Sequence, residues 1–177
     1  MLSETDKATV FSSVPKSLTF NGVTYSVKIE YADRAEVSDL LAVNDIVTTF
    51  RYYGDHPDRE ATPSNRLWRV TSSGTDIQNL RGEKRQVSLS INVHMAKEDA
   101  VPVADIIDAY MSLIQVWSIS GLADLVDVVE CGDVSDLTYL ENGIERRQVD
   151  ITIRYFQGYT ETVGTIGTVE DPDLTVS

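Results

Sequence analysis

The side chains from which catalytic and metal sites are commonly built are sparse in this sequence. There are only two histidines, His56 and His94. His94 falls on the polar side of an alternating stretch and His56 in a proline-bearing segment. Neither has a second histidine or a cysteine at ligand spacing, so no transition-metal site is expected. The single cysteine, Cys131, cannot close an intrachain disulfide and reads as a small buried hydrophobe. Asp124, Asp127, Glu130, Asp133 and Asp136 recur about every three residues, as carboxylates in a calcium loop do. They lack the glycine at position six and the glutamate at twelve of an EF-hand loop, so a solvated acidic face is expected. Gly164 and Gly167 precede no helix and make no dinucleotide fingerprint, and neither G-x-S-x-G nor a P-loop occurs. No catalytic residue, cofactor-binding residue or metal ligand is therefore assigned. Arg146-Arg147, beside Glu141 and Glu145 at the start of an alternating stretch, are the charges best placed to pair within or between subunits. Exposed pairs contribute only about 0–1 kcal/mol each, and their use is to set register between partners.

Two alternating stretches and the segment between them organise the chain. In Arg85–Met95, Val87, Leu89, Ile91, Val93 and Met95 alternate with Gln86, Ser88, Ser90, Asn92 and His94. In Arg147–Phe156, Val149, Ile151, Ile153 and Tyr155 alternate with Gln148, Asp150, Thr152 and Arg154. A period of two predicts strands with one apolar and one solvated face. Such a sheet needs a cover. Val103, Ile106, Ile107, Tyr110, Leu113, Ile114 and Trp117 fall at helical spacing and supply it. The fold class expected is α+β in two layers. It comprises a mainly antiparallel sheet with one long helix on its apolar face, a short helix and an N-terminal hairpin.

The charge is strongly uneven. Residues 1–97 hold twelve acids and twelve bases, whereas residues 98–177 hold sixteen acids against Arg146, Arg147 and Arg154 alone, for a chain total of −13. Such a surface repels phosphate and disfavours ordinary nucleic-acid binding. Five lysines against ten arginines, with so many acids, suit a high-salt, halophilic setting as well as any acidic soluble protein. No apolar run reaches the roughly 18 residues of a membrane span, and the N-terminus does not read as a signal peptide.

In chain order, residues 1–16 are expected to be a loose arm. Leu18–Tyr31 reads as a hairpin about Asn21-Gly22, a pair suited to a type I′ turn. Asp33 is expected to cap a short helix to about Asn44, with Val37, Leu40 and Leu41 inward. Ile46–Tyr53 is β-branched and aromatic and predicts a strand. Residues 54–66 carry no large apolar side chain and are expected to be a long loop reaching a neighbour. A short strand over Leu67–Thr71 and a turn at Ser72-Ser73-Gly74 lead toward the first organising strand. The long helix is expected from a cap at Asp99 to Ser118, closed by Gly121. A short strand over Leu125–Glu130, a turn at Asn142-Gly143, at most one short strand within Thr160–Val169 and a flexible tail over 170–177 complete a single domain over 1–177.

From Arg85 to Val169 the chain resembles the tail terminator, or neck terminator, proteins of tailed bacteriophages and archaeal viruses. The resemblance lies in the strand VSLSINVHM, the acid-capped helix DIIDAYMSLIQ, the stretch GLADLVDVVECGDVSDLTYL, the strand ERRQVDITIRYF and the closing TETVGTI. It implies a structural virion protein of the tail or neck, made in the host cytoplasm, and not an enzyme. It implies a homo-oligomeric ring, a hexamer, which caps the tail tube and joins it to a head–tail connector or completion protein. Genomic DNA would pass through without specific binding, and no membrane would be involved. The sheet's second face would then be neutral to acidic, with Arg154 paired to a carboxylate. A tail-completion or head-closure protein, or a small acidic ligand-binding domain or enzyme, are the other classes left open.

Overall fold

The computed structural model describes residues 3–58, 66–73, 76–98, 101–122, 126–138 and 143–165. The chain, expected as one domain, divides into two compact units: Met1–His56 with Arg85–Tyr155, and Pro57–Lys84 with Phe156–Ser177.

The larger unit begins with helix α1 (Glu4–Ser13), which replaces the expected loose arm. Ser3 caps it by accepting from the Asp6 amide at 3.1 Å, and Glu4 and Asp6 suit the positive end of the helix. It stops because Val14 precedes Pro15 and is held extended, at φ −63° and ψ 139°. Only Val10, Phe11 and Val14 are apolar on its inner side, too few to show as a period in the sequence. Val10 and Val14 are nevertheless buried, and Phe11 stacks on Tyr31 with ring centroids 4.8 Å apart.

Strands β1 (Ser17–Phe20) and β2 (Val23–Tyr31) form the expected hairpin, with Phe20 opposite Val23. Asn21 and Gly22 take the positive φ values, 50° and 81°, that a two-residue turn requires. Helix α2 (Val37–Leu41) is shorter than expected. Asp33 does not cap it, because the Arg34 amide donates to Tyr31 O in a turn that precedes the helix. Val37, Leu40 and Leu41 are half-buried rather than fully inward.

Strand β3 (Ile46–Pro57) pairs in parallel with β2, Val27 opposite Ile46, so the sheet is mixed. Lying between β2 and β5 (Asp76–Ala96), β3 buries every residue from Ile46 to Phe50, as a central strand covered on both faces does. The expected loop 54–66 is therefore shorter: Gly54–Pro57 continue β3, Arg66 opens β4 (Arg66–Ser73), and 59–65 lie outside the described residues.

Helix α3 (Val103–Ser120) starts after Pro102; the expected cap, Asp99, lies outside the described residues. Gly121 closes the helix with φ −77°, so left-handed freedom is not its use. A Cβ there would stand 2.9 Å from Trp117 Cδ1. Strands β6 (Asp127–Cys131), β7 (Ser135–Asp136) and β8 (Ile144–Thr165) follow. The sheet runs β1-β2-β3-β5-β8-β6, with β4 also on β5 and β7 also on β8.

The core lies between the first face of this sheet and the helices. It gathers Leu89, Ile91 and Val93 of β5, Val149, Ile151 and Ile153 of β8, Ile46 and Phe50 of β3, Ile106, Ile107, Tyr110 and Ile114 of α3, and Val10 of α1. Fully burying each such side chain stabilises the fold by about 1.5–3 kcal/mol. Two polar handles tie α3 to the end of α1 and the turn after it: Trp117 Nε1 donates to Ser13 Oγ at 3.2 Å and Tyr110 Oη to Pro15 O at 2.6 Å.

In the smaller unit, β4 runs antiparallel to the first part of β5, Ser73 opposite Asp76. Gly82 and Gly158 mark a close approach of β5 and β8. A Cβ on Gly158 would press on Arg81 O at 2.5 Å, and one on Gly82 would reach Gly158 Cα at 2.5 Å. The glycines thus let β8 continue to Thr165 where the sequence reads as a break and a new short strand. Residues 166–177, including Gly167 and the expected tail, lie outside the described residues.

Candidate functional site

The second face of the sheet in the larger unit is not the fully solvated surface that its alternation predicts. Ser90, Asn92 and His94 of β5 are 6%, 8% and 3% exposed, and Thr49 beside them is 4% exposed. The reason is the parallel β2–β3 pair, whose crossover carries Ala32, Ala35 and Val37 over this face. The crossover and the strands enclose a cleft of about 560 Å³. Its floor is polar, with Thr49 Oγ1 3.5 Å from His94 Nε2. Arg146 donates to Asn92 Oδ1, from Nη2 at 3.0 Å and from Nε at 3.3 Å. Arg51, Tyr53 and Gln148 complete the lining. Tyr53 titrates above its ordinary range through burial and its hydrogen bond to Asp150.

Arg147, expected at an exposed pair, is only 8% exposed and sits at the centre of a charge cluster. Its Nε donates to Asp108 of α3 at 2.9 Å, and its Nη1 to Asp136 of β7 at 2.9 Å, to Glu145 at 3.1 Å and to Thr138 Oγ1 at 2.8 Å. Lys97 Nζ adds a contact to Glu145 at 3.6 Å. Burial alone would raise the Glu145 carboxyl, but hydrogen bonds from Thr138 and Arg147 and the charge of Lys97 hold it below its ordinary value. The Thr138 amide and hydroxyl, with Arg147, hold Asp136 low as well. The guanidinium stays protonated because these acceptors outweigh its desolvation. The cluster joins α3, β7 and β8, so its chemistry is structural.

A second ionic knot joins β3, β5 and β8. Arg85 Nε donates to Asp55 Oδ1 at 2.8 Å, and Tyr155 Oη reaches both Asp55 oxygens at 2.8 Å. Those donors lower the Asp55 carboxyl against the opposing effect of burial. Burial, then the bond to Asp55, pushes Tyr155 up to about 12. At the other end of the pair the Lys97 amide donates to Gly143 O at 2.9 Å. Arg85 thus meets the end of β8's run in this unit and Lys97 its start, so β5 and β8 are antiparallel.

The remaining candidates are dispersed. His56 is exposed and His94 buried, on opposite ends of the strand region. Cys131 is half-buried against the core. Of the acidic series, Asp127 pairs with Arg154 at 3.3 Å and Asp136 with Arg147, while Asp124 and Glu141 lie outside the described residues. No three carboxylates, histidines or cysteines stand close enough to hold a metal among the described residues. The cleft was missed because its cover, α2 and the turn before it, has no strong apolar period. The parallel β2–β3 pairing was its only sequence-level signal, in the strand–helix–strand order of residues 23–57.

Comparison with known protein families finds no match, and none of the curated proteins matches. Among solved structures, the fold is similar to a chain described as the sheath/tube terminator, in the extended state, of an extracellular contractile injection system, PVC, determined by cryo-EM. The superposition covers 100% of this chain at a TM-score of 0.55 and 9% identity. The chain spans 64% of that chain's length.

Proposed function

We propose that this chain is a structural terminator subunit of a tail-like assembly. Copies associate into a closed ring that caps the tail tube and joins it to the next component. The observation that carries the reading is the match of the entire chain to a sheath/tube terminator fold at a TM-score of 0.55. The smaller unit adds a physical argument. None of the described core residues comes from residues 57–84 or 156–165. In this reading that unit is stabilised by contact with neighbouring subunits.

The finer reading is a tail or neck terminator of a tailed bacteriophage or archaeal virus, with six copies in the ring and a passage for DNA. Its partners are the tube protein and a head-side connector or completion protein. Negative-stain electron microscopy of the purified chain tests the ring. Closed rings with an open centre support it, and particles of the 19.6 kDa monomer at all concentrations overturn it.

A further inference from the structure

The cleft on the second sheet face is cationic in a chain of net charge −13. Arg51 and Arg146 line it, and no carboxylate does among the described residues. Asp150, further along β8, accepts from Gln148 Nε2 at 3.1 Å. Arg51 is exposed and makes no ion pair among the described residues. The buried amide of Asn92, 8% exposed, fixes the Arg146 fork from below. The planar fork of a guanidinium such as that of Arg51 is matched to carboxylate oxygens.

The complementary surface lies at the sheet edge formed by β6. Its register on β8 shifts between Val128 and Glu130, so Val129 is the extra residue of a bulge, a device that re-aims side chains at edges. As a result Val129 is 42% exposed and Glu130 beside it is exposed too. Asp133, just beyond, is also exposed. Unlike Asp127 and Asp136, Glu130 and Asp133 make no ion pair among the described residues.

We propose that the bulged β6 edge of one copy docks in the cleft of a second copy. Glu130 and Asp133 meet Arg51, and Val129 meets the apolar wall of Ala35 and Val37. The inference rests on the assembly reading above and names its contact. Cleft and edge are different surfaces, so the contact is head-to-tail, the type that generates rings when the rotation closes.

Charge exchange tests it on the full chain, with mass read by light scattering at about 50 mM salt, where screening is weak, and folding read by circular dichroism. The wild type is expected at a multiple of 19.6 kDa. Arg51→Glu and Glu130→Arg should each fall to the monomer mass while remaining folded. The two variants mixed in equal amounts, and the chain carrying both substitutions, should recover the wild-type mass. Single variants that keep the wild-type mass overturn the docking and leave the ring reading intact. Dissociation of both singles without recovery in the doubly substituted chain overturns the pairing of these residues. A wild type that stays monomeric overturns both readings. Succinate bound by the wild type in calorimetry and lost in Arg51→Glu, with the mass unchanged in either single variant, would make the cleft a small-carboxylate site and overturn the second-copy occupant.

Discussion

Replacing Arg147 with leucine should expose how the acidic half of this chain is held together. The side chain is only 8% exposed and joins carboxylates from three places. Asp108 and Asp136 are 58% and 60% exposed, so water compensates most of their loss, and each contributes at most about 1 kcal/mol. Glu145 is 17% exposed. Removing one partner of a fully buried pair costs about 3–5 kcal/mol. Lys97 at 3.6 Å and the Thr138 hydroxyl at 2.7 Å remain on Glu145, which reduces that cost to about half. The sum is about 1.5–4.5 kcal/mol at pH 7. Urea unfolding followed by tryptophan fluorescence measures it. The pH dependence gives a second check. Asp136 and Glu145 titrate below their ordinary values in the folded chain. Their stabilisation is therefore present above the unfolded carboxylate range, about pH 4, and is lost as pH falls through the lower folded values. The deficit of Arg147→Leu should be full at pH 7 and shrink below about pH 4. A deficit under about 0.5 kcal/mol, or one unchanged by acid, would refute the cluster's role.

Four further substitutions probe the frame. Ile107→Ala and Trp117→Ala remove side chains that are 0% and 6% exposed and should each cost about 2–5 kcal/mol in the same unfolding assay; wild-type-like melting of both would contradict the packing of α3. Tyr110→Phe deletes the donor to Pro15 O and should cost about 0.5–1.5 kcal/mol, with the tyrosine titration that burial pushes up to about 12 absent from the spectrum. Gly158→Ala places a methyl against Arg81 O and should destabilise the smaller unit by about 1–3 kcal/mol, read as faster amide exchange over residues 78–84; unchanged exchange there would show that the strands part easily.

Where one physical signal dominated, the sequence was readable. The alternation in Val87–Met95 and Val149–Tyr155 and the stripe from Val103 to Trp117 locate β5, β8, α3 and most of the core. Asn21-Gly22 locates the hairpin because only a few residues accept two positive φ values. Elsewhere tertiary contacts decided. Helix α1 rests on Val10, Val14 and Phe11, and Phe11 finds Tyr31 and Phe50, neighbours absent from any local window. Gly82 and Gly158 read as breaks because their use, close strand approach, appears only when the strands are paired. The polar residues Ser90, Asn92 and His94 alternate as a solvated face would, but the parallel crossover buries them. The cleft was consequently invisible before the topology was known. Arg146-Arg147 could be singled out from charge alone. Only the structure separates their roles, Arg147 in the buried cluster and Arg146 in the cleft.

The terminator reading is tested most directly by growth of the tube itself. The purified chain is added to the tube protein of the same source while it polymerises, and tube lengths are measured by electron microscopy. The expected result is that lengthening stops on addition and that a ring built from 19.6 kDa subunits sits at one end of each tube. Tubes that continue to lengthen, or that carry the chain along their walls rather than at an end, would contradict it.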